Sequence, residues 1–209
     1  MASLKPESSC WLQALPSRSL GTLLENNCFR ISVALRLGLN ICKPHTCVCG
    51  GQVNENGIHG LSCKKSAGRH PRHQEINNII CRALQTAKIP SALEPVGMCR
   101  SDGKRVDGAT LVPWNKGKTL IWDATCVDTL ASSYLDITSV SSGAAACKAA
   151  LSKRSKYKEL IDQNFIFVPF SVETFGPWCP EGIGFIDNLG DKISLILFEP
   201  KSKYYLKIE

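Results

Sequence analysis

No stretch of this 209-residue chain approaches the roughly 18–20 consecutive apolar residues that a membrane-spanning helix needs, which excludes an integral helical membrane protein. The first twenty residues, MASLKPESSCWLQALPSRSL, also lack the unbroken apolar centre of a secretory leader, because Glu7 and Pro16 interrupt it. An intracellular, reducing setting is therefore expected. No internal repeat and no low-complexity tract are present, and the 44% hydrophobic and 21% charged fractions are those of a chain that can build a core, so disordered and collagenous classes fall away. Cysteine is too sparse for a disulfide scaffold: 11 of 209 residues is about 5%, against the roughly 8–10% of such scaffolds. Under reducing conditions, clustered cysteines bind metal more often than they pair. The scattered ones, Cys10, Cys28, Cys81, Cys99, Cys126, Cys147 and Cys179, read as small buried apolar residues. What the chain has in surplus is positive charge. Its 25 Lys and Arg against 18 Asp and Glu leave +7, a balance that favours an anionic partner such as nucleic acid.

The length suits one domain with a small appendage. Residues 10–41 carry apolar positions at helical spacing and predict two short helices ending near Gly38, with Phe29, Val33, Ala34 and Leu37 on one face. From residue 41 to 65 the chain is rich in Gly, Cys, Asn and His and follows neither hydrophobic period, so its order must come from something other than a core. Residues 71–88 predict a helix, opened by Pro71 and striped by Ile76, Ile79, Ile80 and Leu84. Three short strand-like runs follow, SALEPVGM, KRVDGATLVPW and KTLIWDATCV, the last two joined by a tight WNKGK connection that implies antiparallel pairing. Residues 142–162 predict a helix capped by Ser141 or Ser142. FIFVPFSVETFG predicts a buried strand, and 180–198 a last helix with an edge strand before a polar tail. The division is thus an N-terminal helical segment (1–41), a knuckle (42–68) and an α/β domain (69–209) in the order helix, three-stranded meander, helix, strand.

Within the knuckle, CVCGGQVNENGIHGLSC sets Cys47, Cys49, His59 and Cys63 at a spacing that lets a short loop offer two ligands and a turn return two more. Three thiolates and an imidazole suit a tetrahedral zinc, and a full set of four protein ligands leaves no open position, which marks the ion as structural. Cys42 and His45 are nearby substitutes, and an unliganded thiol loop is the plain alternative.

Three acids occupy the three strand-like runs: Glu94, Asp107 and Asp123. A buried carboxylate without a partner must lose its charge or find a cation, and carboxylates are the ligands that Mg²⁺ or Mn²⁺ prefers. Leu120, Ile121 and Trp122 make the strand of Asp123 look interior. Each acid on its own can equally sit on a solvated strand end. The segment 148–158 concentrates Lys148, Lys153, Arg154, Lys156 and Lys158, a solvated helix face or a track for a phosphate backbone.

Taken in order, Glu94, Asp107 and the Asp123-Ala124-Thr125 run on a helix, three strands, helix and strand resemble the PD-(D/E)XK restriction-endonuclease-like core. The Cys-Cys-His-Cys knuckle, Arg72-His73 and Lys153 with Tyr157 more narrowly resemble the restriction-like endonuclease domain of site-specific non-LTR retrotransposons. Val106 stands where the family has proline, Thr125 where the simplest version has lysine, and Gln74 where asparagine is usual. The resemblance implies a metal-dependent DNA endonuclease in the nucleus, or a nucleic-acid-binding module on the same fold that has lost catalysis. It implies that Asp107 and Asp123 hold Mg²⁺ (or Mn²⁺), that Glu94 completes or orients the shell, and that Lys153 replaces the missing lysine beside Tyr157. It further implies DNA as the partner, with Arg72, His73, Lys148, Arg154, Lys156 and Lys158 as backbone contacts.

Overall fold

The structure, a computed structural model, describes residues 8–19, 21–100 and 102–208. After a short 3₁₀ turn at Cys10–Gln13 come α1 (Asn26–Leu37), β1 (His45–Thr46), β2 (Gln52–Val53), α2 (His59–Ser62), α3 (Arg69–Thr86) and β3 (Ser91–Leu93). β4 (Gly108–Thr110), β5 (Leu120–Val127), α4 (Leu135–Thr138), α5 (Ala144–Lys156), α6 (Lys158–Asp162), β6 (Ile166–Glu173), α7 (Pro180–Leu197) and α8 (Ser202–Ile208) complete the order. The architecture is mixed α/β. Four strands stand in the order β3-β4-β5-β6, the first three antiparallel and β6 parallel to β5, while β1 and β2 form a separate two-stranded ribbon in the knuckle.

The LIWDATCV strand is apolar on both faces because both are covered. Leu120, Trp122 and Ala124 of β5, with Val168 and Phe170 of β6, pack against Ile80 and Leu84 of α3 and Phe185, Ile186 and Leu189 of α7. The opposite face, carrying Ile121, meets Val106, Ala109, Phe167, Tyr157 and Leu160. Asp123 shares this second face by strand alternation, under α5. The buried Ala145, Ala146, Ala149 and Ala150 of α5 have almost no side chain to hold the helix off the sheet. Gly108 is required where it stands: a Cβ there would lie 2.0 Å from Cζ2 of Trp122.

Several expectations hold in the structure. The helix of 71–88 forms as α3, the meander as β3, β4 and β5, and α1 ends at Gly38 in the left-handed conformation. Others are corrected. The helix expected over 142–162 breaks at Tyr157 into α5 and α6, and its N-cap position is taken by Gly143 in the left-handed conformation rather than by a serine. The amides of the second and third residues of α5 find an acceptor across space, Ala145 N–H and Ala146 N–H donating to Oε1 of buried Glu173 at 3.0 and 3.3 Å. Among the described residues no edge strand follows α7. The tail is helical, because Leu206 joins the main core while Lys203 and Lys207 pair with Asp187. Phe29 and Leu37 of α1 are exposed, so the expected apolar face buries only Ala34. Of the scattered cysteines only Cys179 is buried; Cys28 and Cys99 are exposed, since α1 and the loop before Asp107 lie outside the core. Among the described residues no helix is long and apolar enough to cross a membrane.

Candidate functional site

In the knuckle, the ribbon of β1 and β2 and the single turn of α2 bring Cys47, Cys49, His59 and Cys63 together, their ligand atoms all within 4.8 Å of one another. A tetrahedral ion with metal–sulfur bonds near 2.3 Å spaces two sulfurs about 3.8 Å apart. The Cys47 and Cys63 sulfurs lie 3.8 Å apart, and Cys49 Sγ lies 3.2 Å from Nε2 of His59. Gly51 makes room for the ring, since a Cβ there would stand 2.8 Å from Cε1 of His59. Its N–H points at Cys49 Sγ and is the main reason that this thiol is brought down to about 7, which readies it as a thiolate. The cluster can hold a metal ion. Cys42, the reserve ligand, turns away instead, its thiol donating to Asn54 O at 3.2 Å, and the His45 ring bonds to Lys43 O at 2.8 Å.

The second site lies where the sheet splits. β4 pairs with β5 only through Gly108 and Ala109, so the long strand β5 loses its β4 partner beyond Trp122. Asp107, one residue before β4, fills the gap: its Oδ2 accepts the Ala124 N–H at 2.6 Å and faces Nε2 of His73 at 2.9 Å. The His73 ring is held above its ordinary pKa, first by this hydrogen bond and then by the charges of Asp107 and Asp123, against partial burial and the charge of Lys153. Asp123 is 5% exposed and forms an ion pair with Lys153, which reaches it from the last turn of α5. Tyr157 is buried beside them, with its hydroxyl donating to Arg105 O at 3.0 Å. Burial, Asp123 and Asp107 together hold that hydroxyl well above its usual range, so it stays protonated.

His73, Asp107, Asp123, Lys153 and Tyr157 thus surround one point. Glu94 meets them only through its backbone, which sits at φ 44° and donates its N–H to Asp107 O at 2.9 Å; its side chain is exposed. Among the described residues the knuckle is the one group of three or more His, Cys, Asp or Glu donors gathered closely enough for a metal ion, so the three acids form no such group. The basic residues lie around this region with partners of their own. Arg154 pairs with Glu181 at 3.1 Å, Lys158 with Asp162 at 2.5 Å, and Lys148 sits 5.4 Å over the Tyr134 ring; Lys156 is exposed. Arg72 donates to the carbonyls of Leu61 and Gly68 at 2.9 and 3.2 Å.

Arg100 and Glu173 escape the reading of the sequence. Arg100 stacks 5.3 Å over Tyr157, and nothing in its own neighbourhood of the chain signals that. Glu173 is buried and caps α5; an acid inside the apolar run FIFVPFSVETFG was the signal that could have found it.

The fold and the site together define a mixed α/β domain with a four-stranded mixed sheet and a Cys/His cluster able to hold a metal ion. No protein-family model matches the chain, and no curated protein matches it.

Proposed function

We propose that this protein is a metal-dependent DNA endonuclease of the PD-(D/E)XK type, derived from a non-LTR retroelement and acting in the nucleus, with a structural zinc in its knuckle. The observation that carries the reading is the ion pair between Lys153 and Asp123, 30 residues apart, beside Asp107 at the start of the neighbouring strand. A helix-borne lysine at the second acid is the arrangement needed when Thr125 occupies the usual lysine position. The sulfur separation of 3.8 Å supports zinc in the knuckle.

The carboxylate oxygens are hard donors that suit Mg²⁺ or Mn²⁺, and Asp107 keeps its side chain 17% exposed at the mouth of the split. Asp123 on β5 and Asp107 just before β4 would hold the ion. When bound, it supplies polarisation of the scissile phosphate and a lowered pKa for the attacking water. Lys153 offsets charge growing on the phosphate, a task for a compact cation already aimed at the site. His73 fixes the rotamer of Asp107. Tyr157 braces the segment before Asp107 through Arg105 O and keeps its proton throughout.

One observation favours the alternative, an inactive nucleic-acid-binding module: both acids already have cationic or hydrogen-bonding partners, and Glu94 points to solvent. Plasmid nicking decides. Purified protein with Mg²⁺ or Mn²⁺ is expected to convert supercoiled to open-circular DNA, and Asp107→Ala and Asp123→Ala each to abolish it. Salt-dependent DNA binding without nicking selects the inactive module instead.

A further inference from the structure

The dipeptide Arg72-His73 bridges the two sites. Arg72 lies on the first turns of α3 and is half-buried. Its Nη2 donates to Leu61 O at 2.9 Å and its Nε to Gly68 O at 3.2 Å. Leu61 is in α2 between two knuckle ligands, His59 and Cys63, and Cys63 N–H itself bonds to His59 O at 3.0 Å. The guanidinium also lies near β5, where its charge partly offsets the effect of burial on the Cys126 thiol. Arg72 is therefore turned inward, between knuckle and sheet, while the next residue, His73, contacts Asp107.

We infer that Arg72 is a positioning residue that couples the knuckle to the carboxylate site: a metal-loaded knuckle fixes the Leu61 carbonyl, that carbonyl fixes Arg72, and the first turns of α3 then hold His73 against Asp107. The physical basis is continuity. The link from ligand to carboxylate runs through the turn of α2, the Arg72 bond to Leu61 O, the peptide unit between Arg72 and His73, and the contact of His73 with Asp107. The region between, residues 63–68, has no regular secondary structure; the Arg72 bond to Leu61 crosses it, while the bond to Gly68 holds the side chain against the N-cap of its own helix. A planar guanidinium suits the task because it serves two carbonyls from fixed directions, which a lysine cannot.

The catalytic arm of this inference rests on the endonuclease reading; the spectroscopic arm does not. Full-length protein loaded with zinc is compared as wild type, Arg72→Gln and Arg72→Lys, with zinc content checked for each. The His73 Nε2 resonance is followed by ¹⁵N NMR at fixed pH before and after zinc chelation. Arg72→Gln is expected to keep its zinc yet shift the His73 resonance, chelation of wild type to shift it the same way, and chelation of the variant to add nothing further. In nicking, kcat falls about ten- to a hundredfold, the range for groups that orient a metal-binding carboxylate, with KM within about twofold. Arg72→Lys, the milder variant should Gln fail to fold, is expected to lie between. An unmoved His73 resonance in both variants, or chelation and mutation acting additively, overturns the coupling. So does a rise in KM at unchanged kcat, which would mark Arg72 as a phosphate contact. If the wild type never nicks, the endonuclease reading fails while the His73 resonance still decides the coupling.

Discussion

On the proposed endonuclease reading, the pair of Asp123 and Lys153 serves stability and chemistry at once. A carboxylate 5% exposed needs a counter-charge, and Lys153 supplies it where a divalent ion would otherwise compete. Lys153→Ala is therefore expected to lower nicking by about a hundredfold or more, with DNA affinity at fixed salt nearly kept. The same variant should gain more thermal stabilisation from added Mg²⁺ than the wild type does, because the freed carboxylate binds the ion better; equal shifts in Tm would contradict the competition. At this scale the sequence was only partly legible. It offered Asp107 and Asp123 as acids on strand-like runs, and Lys153 with Tyr157 only through the family resemblance. It could not reveal that Glu94 points outward, nor that Arg72 and His73 turn inward, since an exposed and an inward polar side chain look alike in a list of residues.

The elements carry their own tests. Gly108 lies flat against Trp122, whose Nε1–H donates to buried Asn77 at 3.0 Å. Gly108→Ala forces one or the other to move and is expected to cost about 3 kcal/mol in chemical denaturation, with β4 and the placement of Asp107 disturbed along with it. α8 is pinned to α7 by Asp187, which lies 2.7 Å from Lys207 and 3.6 Å from Lys203. Burial alone would push this carboxyl up, but the two lysines outweigh it and hold it below its usual range. A depressed folded pKa stabilises above the unfolded value and loses that stabilisation as pH falls through the folded one. Asp187→Asn should thus cost up to about 1 kcal/mol at pH 6, the gap closing below about pH 4; a gap that persists in acid would contradict this. Element types followed from hydrophobic period, as in α3 and β5. The break at Tyr157 did not: there the backbone leaves helical geometry at φ −104°, ψ 19°, at a residue whose ring packs against Phe167 across the core, at 5.0 Å.

The whole molecule joins a cored sheet domain to a knuckle whose only buried residues among those described are Val53 and Cys63. Such a segment depends on its ligands, so chelation is expected to open residues 42–68 to trypsin at Lys64 and Lys65 while the sheet domain keeps its near-UV circular dichroism. Because the ligands must be deprotonated, apparent zinc affinity should fall steeply below pH 7 in chelator competition; a flat profile would argue against thiolate ligation. The +7 charge is expected to make any DNA binding weaken with salt. By itself the sequence determined what depends on neighbours along the chain: the apolar periods of α3, β5, β6 and α7, the turn between the strands, and the ligand spacing of the knuckle. Only the tertiary structure decided the pairings that cross it. His73 meets Asp107 from 34 residues away, Lys153 meets Asp123 from 30, and Asn77 meets Trp122 from 45. The reason is physical. A hydrophobic pattern records which face of an element leaves water, whereas the partner of a buried charge is whichever group the packing of those faces brings within reach.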